Sequence, residues 1–255
     1  MKRYAAILSA IVIASAALTA SAVEKKADQL FYEGNAFYEA REYAKAFQDY
    51  DAIMTSGIES GNLYYNIGNS FFKMGKIGYA ILFYEKAKRI MPDDSDLKSN
   101  LAYAASLVDE PYIQPTRERG LVKLINQLFD DFSLNMITAA CGACYIIVVA
   151  MLLLFIVRPS AARRAAFAFW VFFAIFVINL AALGTRFYDE EVLKKGVVVA
   201  KGVECKYEPI DSSTTYYTLR EGARVNILSA RNGWLKIERL DGKIGWVDKE
   251  AVKQI

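Results

Sequence analysis

The sequence predicts a multidomain membrane protein: an all-α helical repeat array, a two-helix transmembrane hairpin and a small all-β barrel, in that order. Three observations predict it. Residues 27–94 repeat with a period of 34. Two stretches, Phe132 to Val157 and Ala165 to Thr185, carry no charge, and each reaches the roughly 20 residues that cross a bilayer as helix. From residue 196 onward, short alternating runs are separated by turn residues, the pattern of a small β-domain.

Composition narrows the function. Of 255 residues 55% are apolar, above the roughly 45–50% of an ordinary soluble protein. The excess sits in blocks. The 31 basic and 28 acidic residues give +3, or +1 once Lys2 and Arg3 are set aside with a leader. That speaks against nucleic acid as a partner, which calls for a concentrated basic surplus. There is no histidine, so Ser–His–Asp, Cys–His and His-ligated metal chemistry are excluded within this chain. Three cysteines are too few for a disulfide scaffold. No carboxylate dyad, phosphate-cradling glycine loop or nucleophile elbow stands in the sequence. The expectation is a non-enzymatic protein with no cofactor and no metal.

The N-terminus reads as a signal peptide over 1–22. Lys2 and Arg3 precede an uncharged stretch from Tyr4 to Ala22 that ends in Ala20-Ser21-Ala22, the three parts such a leader needs. The rival is an uncleaved anchor, and either one exports the repeats behind it.

The domain over 23–110 holds two copies, about 27–60 and 61–94. Gly34 recurs as Gly68, Asn35 as Asn69, Phe37 as Phe71, Ala46 as Ala80 and Tyr50 as Tyr84. Glycine and alanine are small where the two helices of a copy touch, the rings fill the space beside them, and Pro92 stops the last helix. This pattern resembles the tetratricopeptide repeat, a helix–turn–helix unit. Asp93-Asp94-Ser95-Asp96 can cap a closing helix over 95–108.

First-helix residues of such arrays line an inner groove. By the repeat pattern these are Asp28, Phe31, Asn35, Tyr38 and Glu39, then Asn62, Tyr65, Asn69, Phe72 and Lys73. Asparagine beside rings suits capture of a peptide backbone. Asn35, Tyr38, Asn62, Tyr65, Asn69, Phe72 and Lys73 are the candidate peptide-binding residues, with Asn35 and Asn69 dispensable to the helix core. The alternative is that they pack against the next helix or the membrane-proximal segment. Asn35 and Asn69 look like part of the carboxylate clamp of chaperone-binding repeat proteins. Its basic residues are not matched, since Phe31, Ser99 and Tyr103 stand in their places.

Residues 111–131 form a linker with Pro111 and Pro115, then an amphipathic helix in which Leu121, Leu124, Ile125, Leu128, Phe129 and Phe132 recur at helical spacing. It is expected to lie on the membrane surface or to dock on the repeats. Transmembrane helices come next, over 132–157 and 165–186. The connector, 158–164, carries Arg158, Arg163 and Arg164 and no acid, so it is expected to be cytoplasmic. The signal peptide independently places both soluble parts outside. The expected location is therefore a bacterial inner membrane with both soluble domains periplasmic. Asn179 is expected to join the two spans or to recruit another membrane protein. Cys141-Gly-Ala-Cys144 lies inside the first span. Hydrocarbon disfavours the thiolate a redox pair needs, so packing is expected rather than thiol chemistry.

Residues 196–255 read as strands: Gly196 to Ala200, Tyr216 to Leu219, Arg224 to Leu228, Asn232 to Glu238 and Lys243 to Asp248. Asp241-Gly242 marks a hairpin turn. The succession Leu219-x-x-Gly222, Gly233-Trp234-x-x-Ile237 and Asp241-Gly242-x-x-Gly245-Trp246-Val247 resembles bacterial SH3-like domains. Trp234 and Trp246 form a candidate shelf for a peptide or glycan, or are half-buried barrel residues. The resemblance implies a protein ligand or peptidoglycan. Cys205 is expected to be a buried strand residue.

The full order of parts resembles the BatE-type proteins of the Bacteroides aerotolerance operon. That resemblance implies a scaffold supporting oxidative-stress tolerance or envelope integrity. Its implied partners are membrane-anchored von Willebrand factor A-domain proteins of the same system and an associated MoxR-type ATPase.

Overall fold

The computed structural model describes residues 24–108 and 120–255. The expected signal peptide and the linker prolines Pro111 and Pro115 lie outside the described residues.

The repeats fold as helix pairs. Helix α1 (24–39) pairs with α2 (Tyr43–Thr55), and α3 (Gly61–Lys73) with α4 (Ile77–Ile90). The period sets even the turns. Lys76 N–H donates to the Phe71 carbonyl and Gly75 N–H to that of Phe72, while Glu42 donates to Phe37 and Arg41 to Tyr38. This closure needs a left-handed residue. Gly75 supplies it at φ 73°, and Arg41 is held there at φ 65°. Inside each pair a glycine admits a ring: a Cβ on Gly34 or on Gly68 would lie 2.6 Å from Tyr50 or Tyr84. Both tyrosines are wholly buried.

Helix α5 (Ser95–Ser106) is in register as the opening helix of a third copy. Asp94 accepts from Leu97 N–H at 2.8 Å, as Ser60 accepts from Leu63 N–H at 3.2 Å, 34 residues earlier. Its outer face of Ser95, Ser99, Ala102 and Ser106 is exposed, so it can end the stack in contact with water.

Helix α6 (Gly120–Phe129) packs on α8 (Pro159–Phe187). Arg186 Nη2 donates to the carbonyls of Phe129 at 3.1 Å, Asp130 at 2.9 Å and Phe132 at 3.4 Å. A guanidinium thus caps the C-terminal end of α6, where unpaired carbonyls and the helix dipole favour a cation. Helix α7 (Leu134–Val157) and α8 are each long and apolar enough to cross a membrane. Among the described residues, Ile137, Cys141 and Val148 of α7 and Ala182 of α8 are buried in this antiparallel pair.

A π-helical turn, Tyr188–Val192, carries the chain from α8 into the barrel. Its strands are β1 (Lys195–Val198), β2 (Val203–Lys206), β3 (Thr215–Leu219), β4 (Arg224–Arg231), β5 (Trp234–Arg239), β6 (Ile244–Asp248) and β7 (Val252–Gln254). They form one antiparallel sheet in the order β3-β2-β6-β5-β4-β1-β7. Asn232 and Gly233 are not the start of a strand. Both have positive φ (48° and 81°) and make a two-residue turn between the partners Arg231 and Trp234, as Asn-Gly favours.

The barrel and the array share one core. Val197 and Val199 are buried in the same cluster as Ile81, Phe83 and Leu97. Gly78 N–H donates to Glu221 at 2.9 Å, and a Cβ on Gly78 would lie 2.6 Å from the Val198 carbonyl. Gly222, at φ 90°, brings its backbone against Val108 and Ile81. Arg224 pairs with Glu85 at 2.6 Å. The barrel thus covers α4 and the end of α5, where a stacked repeat array would otherwise expose apolar surface.

Candidate functional site

The groove residues are carried on the opening helices, as the period requires. Asn62 and Lys73 are exposed, and Tyr38, Tyr65 and Phe72 are half-buried. Phe72 meets Tyr103 of α5 with ring centroids 5.7 Å apart. Tyr103 is 59% exposed and extends this aromatic surface by one helix.

Asn35 and Asn69 have a different task from the one expected. The Asn35 Oδ1 accepts from the Tyr50 hydroxyl at 2.7 Å and from Asn66 Nδ2 at 2.9 Å. The Asn69 Oδ1 accepts from the Tyr84 hydroxyl at 2.7 Å and from Asn100 Nδ2 at 3.1 Å. Each amide oxygen has two lone pairs, and both are used. The ladder repeats every 34 residues: 35, 50 and 66, then 69, 84 and 100. It stitches the two helices of one copy to the opening helix of the next. The view that these asparagines are dispensable to the helix core is therefore corrected. A buried tyrosine hydroxyl needs an acceptor, and the asparagine is that acceptor. Burial pushes Tyr50 up to about 12 and Tyr84 further in the same direction. The signal for Asn66 and Asn100 was present in the sequence as their own 34-residue spacing.

Asn100 Nδ2 also donates to the Tyr65 hydroxyl at 2.8 Å. The ladder therefore fixes one groove ring directly, and Tyr38 and Phe72 are left to present ring faces beside the exposed Asn62 and Lys73. This arrangement can hold an extended segment by apolar contact and side-chain hydrogen bonds.

On the barrel, Trp234 and Trp246 are half-buried, while Leu235, Ile237 and Val247 of the same two strands are buried on the inner side. Trp246 is the register partner of both Lys206 and Lys236. The ammonium of Lys206 lies 5.7 Å from the Trp234 ring centroid, and that of Lys236 lies 6.0 Å from the Trp246 ring centroid. The result is a ledge of alternating lysine and tryptophan across β2, β6 and β5, suited to a ligand with a flat or apolar face and a negative group. Lys206 escaped the sequence reading because β2 was not assigned as a strand. Gly245 is required behind the ledge, since a Cβ there would run into Cys205 Sγ. Cys205 is wholly buried, and burial pushes its thiol up, so it is held as the unreactive thiol.

In the hairpin, Cys141 is buried, Cys144 is half-buried, and neither is in a disulfide. Asn179 Nδ2 donates to the Ile175 carbonyl of its own helix at 2.9 Å, a local bond rather than a link between spans. Among the described residues, no group of three or more carboxylates and cysteines is placed to hold a metal ion.

Residues 208–253 match the family model of the bacterial SH3 domain. This covers strands β3 to β6 and, of the ledge, Trp234, Lys236 and Trp246 but not Lys206. Over 96 residues the chain is 33% identical to the mouse protein O-mannosyl-transferase TMTC1, a stretch that is 37% of this chain and 10% of that protein. The chain thus spans about a tenth of the length of that curated relative. Among solved structures, the C-terminal SH3 domain of myosin IB from Entamoeba histolytica aligns at 25% identity with a TM-score of 0.17. It covers 25% of this chain and 93% of that one.

Proposed function

We propose that the chain is a non-enzymatic scaffold of a bacterial inner membrane that binds protein partners through its repeats and its SH3-like domain, both on the periplasmic side. The observation that carries this reading is the shared core. Array and barrel form one body, set directly on a pair of apolar helices, and offer two separate surfaces. The signal-type N-terminus and the arginines at the turn between the apolar helices support the orientation: Arg158 stands between them, and Arg163 and Arg164 fall in the first turns of α8, which begins at Pro159 where a connector over 158–164 was expected. The order of parts supports a place beside the BatE-type proteins, with membrane-anchored von Willebrand factor A-domain proteins as partners in an aerotolerance or envelope-stress complex. Tyr38, Asn62, Tyr65, Phe72 and Lys73 form the partner surface of the array. Asn35 and Asn69 hold the helix spacing beneath it.

The test is affinity purification of the full chain from membranes in mild detergent, beside Tyr65→Ala/Lys73→Glu and Trp246→Ala variants. Loss of a partner with the array variant supports the reading. Equal recovery from all three, with folding intact, overturns it, as does a cytoplasmic signal from a reporter fused at the C-terminus.

The ledge favours a second reading, a cell-wall anchor or sensor. Trp234 and Trp246 suit a sugar face, and Lys206 and Lys236 suit the carboxylates of a peptidoglycan stem. Retention of the full chain on isolated sacculi, lost with Trp246→Ala, would favour it.

A further inference from the structure

We propose that the junction between the soluble body and the membrane helices is a binding site for a zwitterionic phospholipid headgroup, a phosphate carrying a primary amine. The site is a cavity of about 280 Å³ walled by the end of α4, the corner between α6 and α7, the end of α8 and the first and last strands. Its level is fixed by the spans. Ser133 caps the first turn of α7, Arg186 stands in the last turn of α8, and both line the cavity. Apolar helix ends there, which is where the headgroup layer begins.

Arg186 is only 17% exposed. Its Nη2 is occupied by the carbonyls of Phe129, Asp130 and Phe132 and lies 3.7 Å from the Asp130 carboxylate, but its Nε is buried and makes no hydrogen bond in the protein. A guanidinium with an unsatisfied donor is unfavourable, and where Arg186 borders the cavity a phosphate oxygen is the acceptor that guanidinium geometry fits best. Lys194 lines the same cavity, is exposed and has no ion-pair partner among the described residues, so a second cation is at hand. The cavity also presents Asp130, Asp189 and Glu190, each beside a cation of the same lining: Arg186 at 3.7 Å, Lys195 and Arg89 at 3.9 Å. Carboxylates repel a bare anion but accept hydrogen bonds from an ammonium. A headgroup that brings both charges can share these carboxylates through its amine while its phosphate meets the cations. A choline headgroup lacks N–H donors for those carboxylates, and a glycerol headgroup lacks the positive charge.

The inference rests on α7 and α8 crossing a membrane, and not on what the array binds. The experiment is native mass spectrometry of the full chain released from bilayer nanodiscs containing equal phosphatidylethanolamine, phosphatidylcholine and phosphatidylglycerol. One phosphatidylethanolamine per chain is expected, favoured about tenfold over the other two. Lys194→Ala and Arg186→Gln should each reduce its retention by a similar factor. Because Arg186 also caps α6, Lys194→Ala is the decisive variant. Equal retention of all three lipids, a preference for phosphatidylglycerol, or unchanged retention in Lys194→Ala overturns the proposal. Displacement of the lipid by inorganic phosphate would assign the site to a soluble phosphate and overturn the lipid source.

Discussion

Replacing Asn69 by alanine tests whether the amide ladder is structural. The change removes one oxygen that serves two donors. The Tyr84 hydroxyl loses its acceptor inside a core where the residue is 1% exposed. Asn100 keeps the Tyr65 hydroxyl at 2.8 Å and suffers less. An orphaned buried donor costs roughly 1–3 kcal/mol, so the expected loss is about 2 kcal/mol, or roughly thirtyfold in the opening equilibrium. Tyr84→Phe removes the donor with its need for a partner and should cost only about 1 kcal/mol. In the double variant nothing is orphaned, so its loss should fall short of the sum by about 1 kcal/mol. Hydrogen exchange of α3, α4 and α5 in the detergent-solubilised full chain reads this locally. Unchanged exchange in Asn69→Ala, or losses that add without coupling, would refute the ladder. Lower partner recovery with unchanged exchange would return Asn69 to the groove.

The fold leads to three further outcomes. Gly78→Val should separate the barrel from α4, because its Cβ would lie 2.6 Å from the Val198 carbonyl and 2.9 Å from Val199 Cα; a loss of about 1–3 kcal/mol should appear as faster exchange in β1 but not in α1. Arg41→Gly should stabilise the first repeat by about 0.5–1 kcal/mol, since it relieves a side chain held at φ 65° at the cost of some chain entropy, and a raised melting temperature is the readout. Tyr50 ionises at about 12 in the fold against its ordinary 10.0, so its contribution is fully present below pH 10 and is lost as pH rises toward 12. Tyrosinate absorbance and helical circular dichroism should then change together, and Tyr50→Phe should move that midpoint upward.

The parts of this protein differ in how far their sequences reveal them. The repeat period announces Gly34, Gly68, Tyr50 and Tyr84, because packing a ring against a helix demands a small residue at a fixed offset. The two apolar helices are equally plain, since length without charge is what a bilayer requires. The groove was only half legible. Asn35 and Asn69 stand where a ligand could reach them, and nothing in their spacing tells a ligand's donor from the tyrosine hydroxyl that takes the oxygen. Strand β2 was missed because Val203 to Lys206 is four residues long and alternates with Glu204 and Lys206. The docking of barrel on array was invisible for another reason. It uses Gly78 and Gly222, whose contribution is absence of bulk, and valines that read equally well as an internal strand.

The shared core changes what the apolar hairpin does. Only Leu193 and Lys194 separate the π-helical turn after α8 from β1, and β1 carries Val197 into the core of the array. Arg89 of α4 donates to the Glu190 carbonyl of that turn at 3.0 Å and to the Ile255 carbonyl beside β7 at 3.4 Å. Lys98 of α5 pairs with Asp131 at the start of the first apolar helix. The body is therefore tied to the hairpin at several points, where a flexible linker would let it sample many orientations. Exposed ion pairs contribute little singly, so the constraint comes from the buried valines and the short connection. A ligand on the groove or on the Lys–Trp ledge then meets a surface whose position relative to the apolar helices is already set. The ordering entropy that a tethered module would lose on binding has been lost on folding instead.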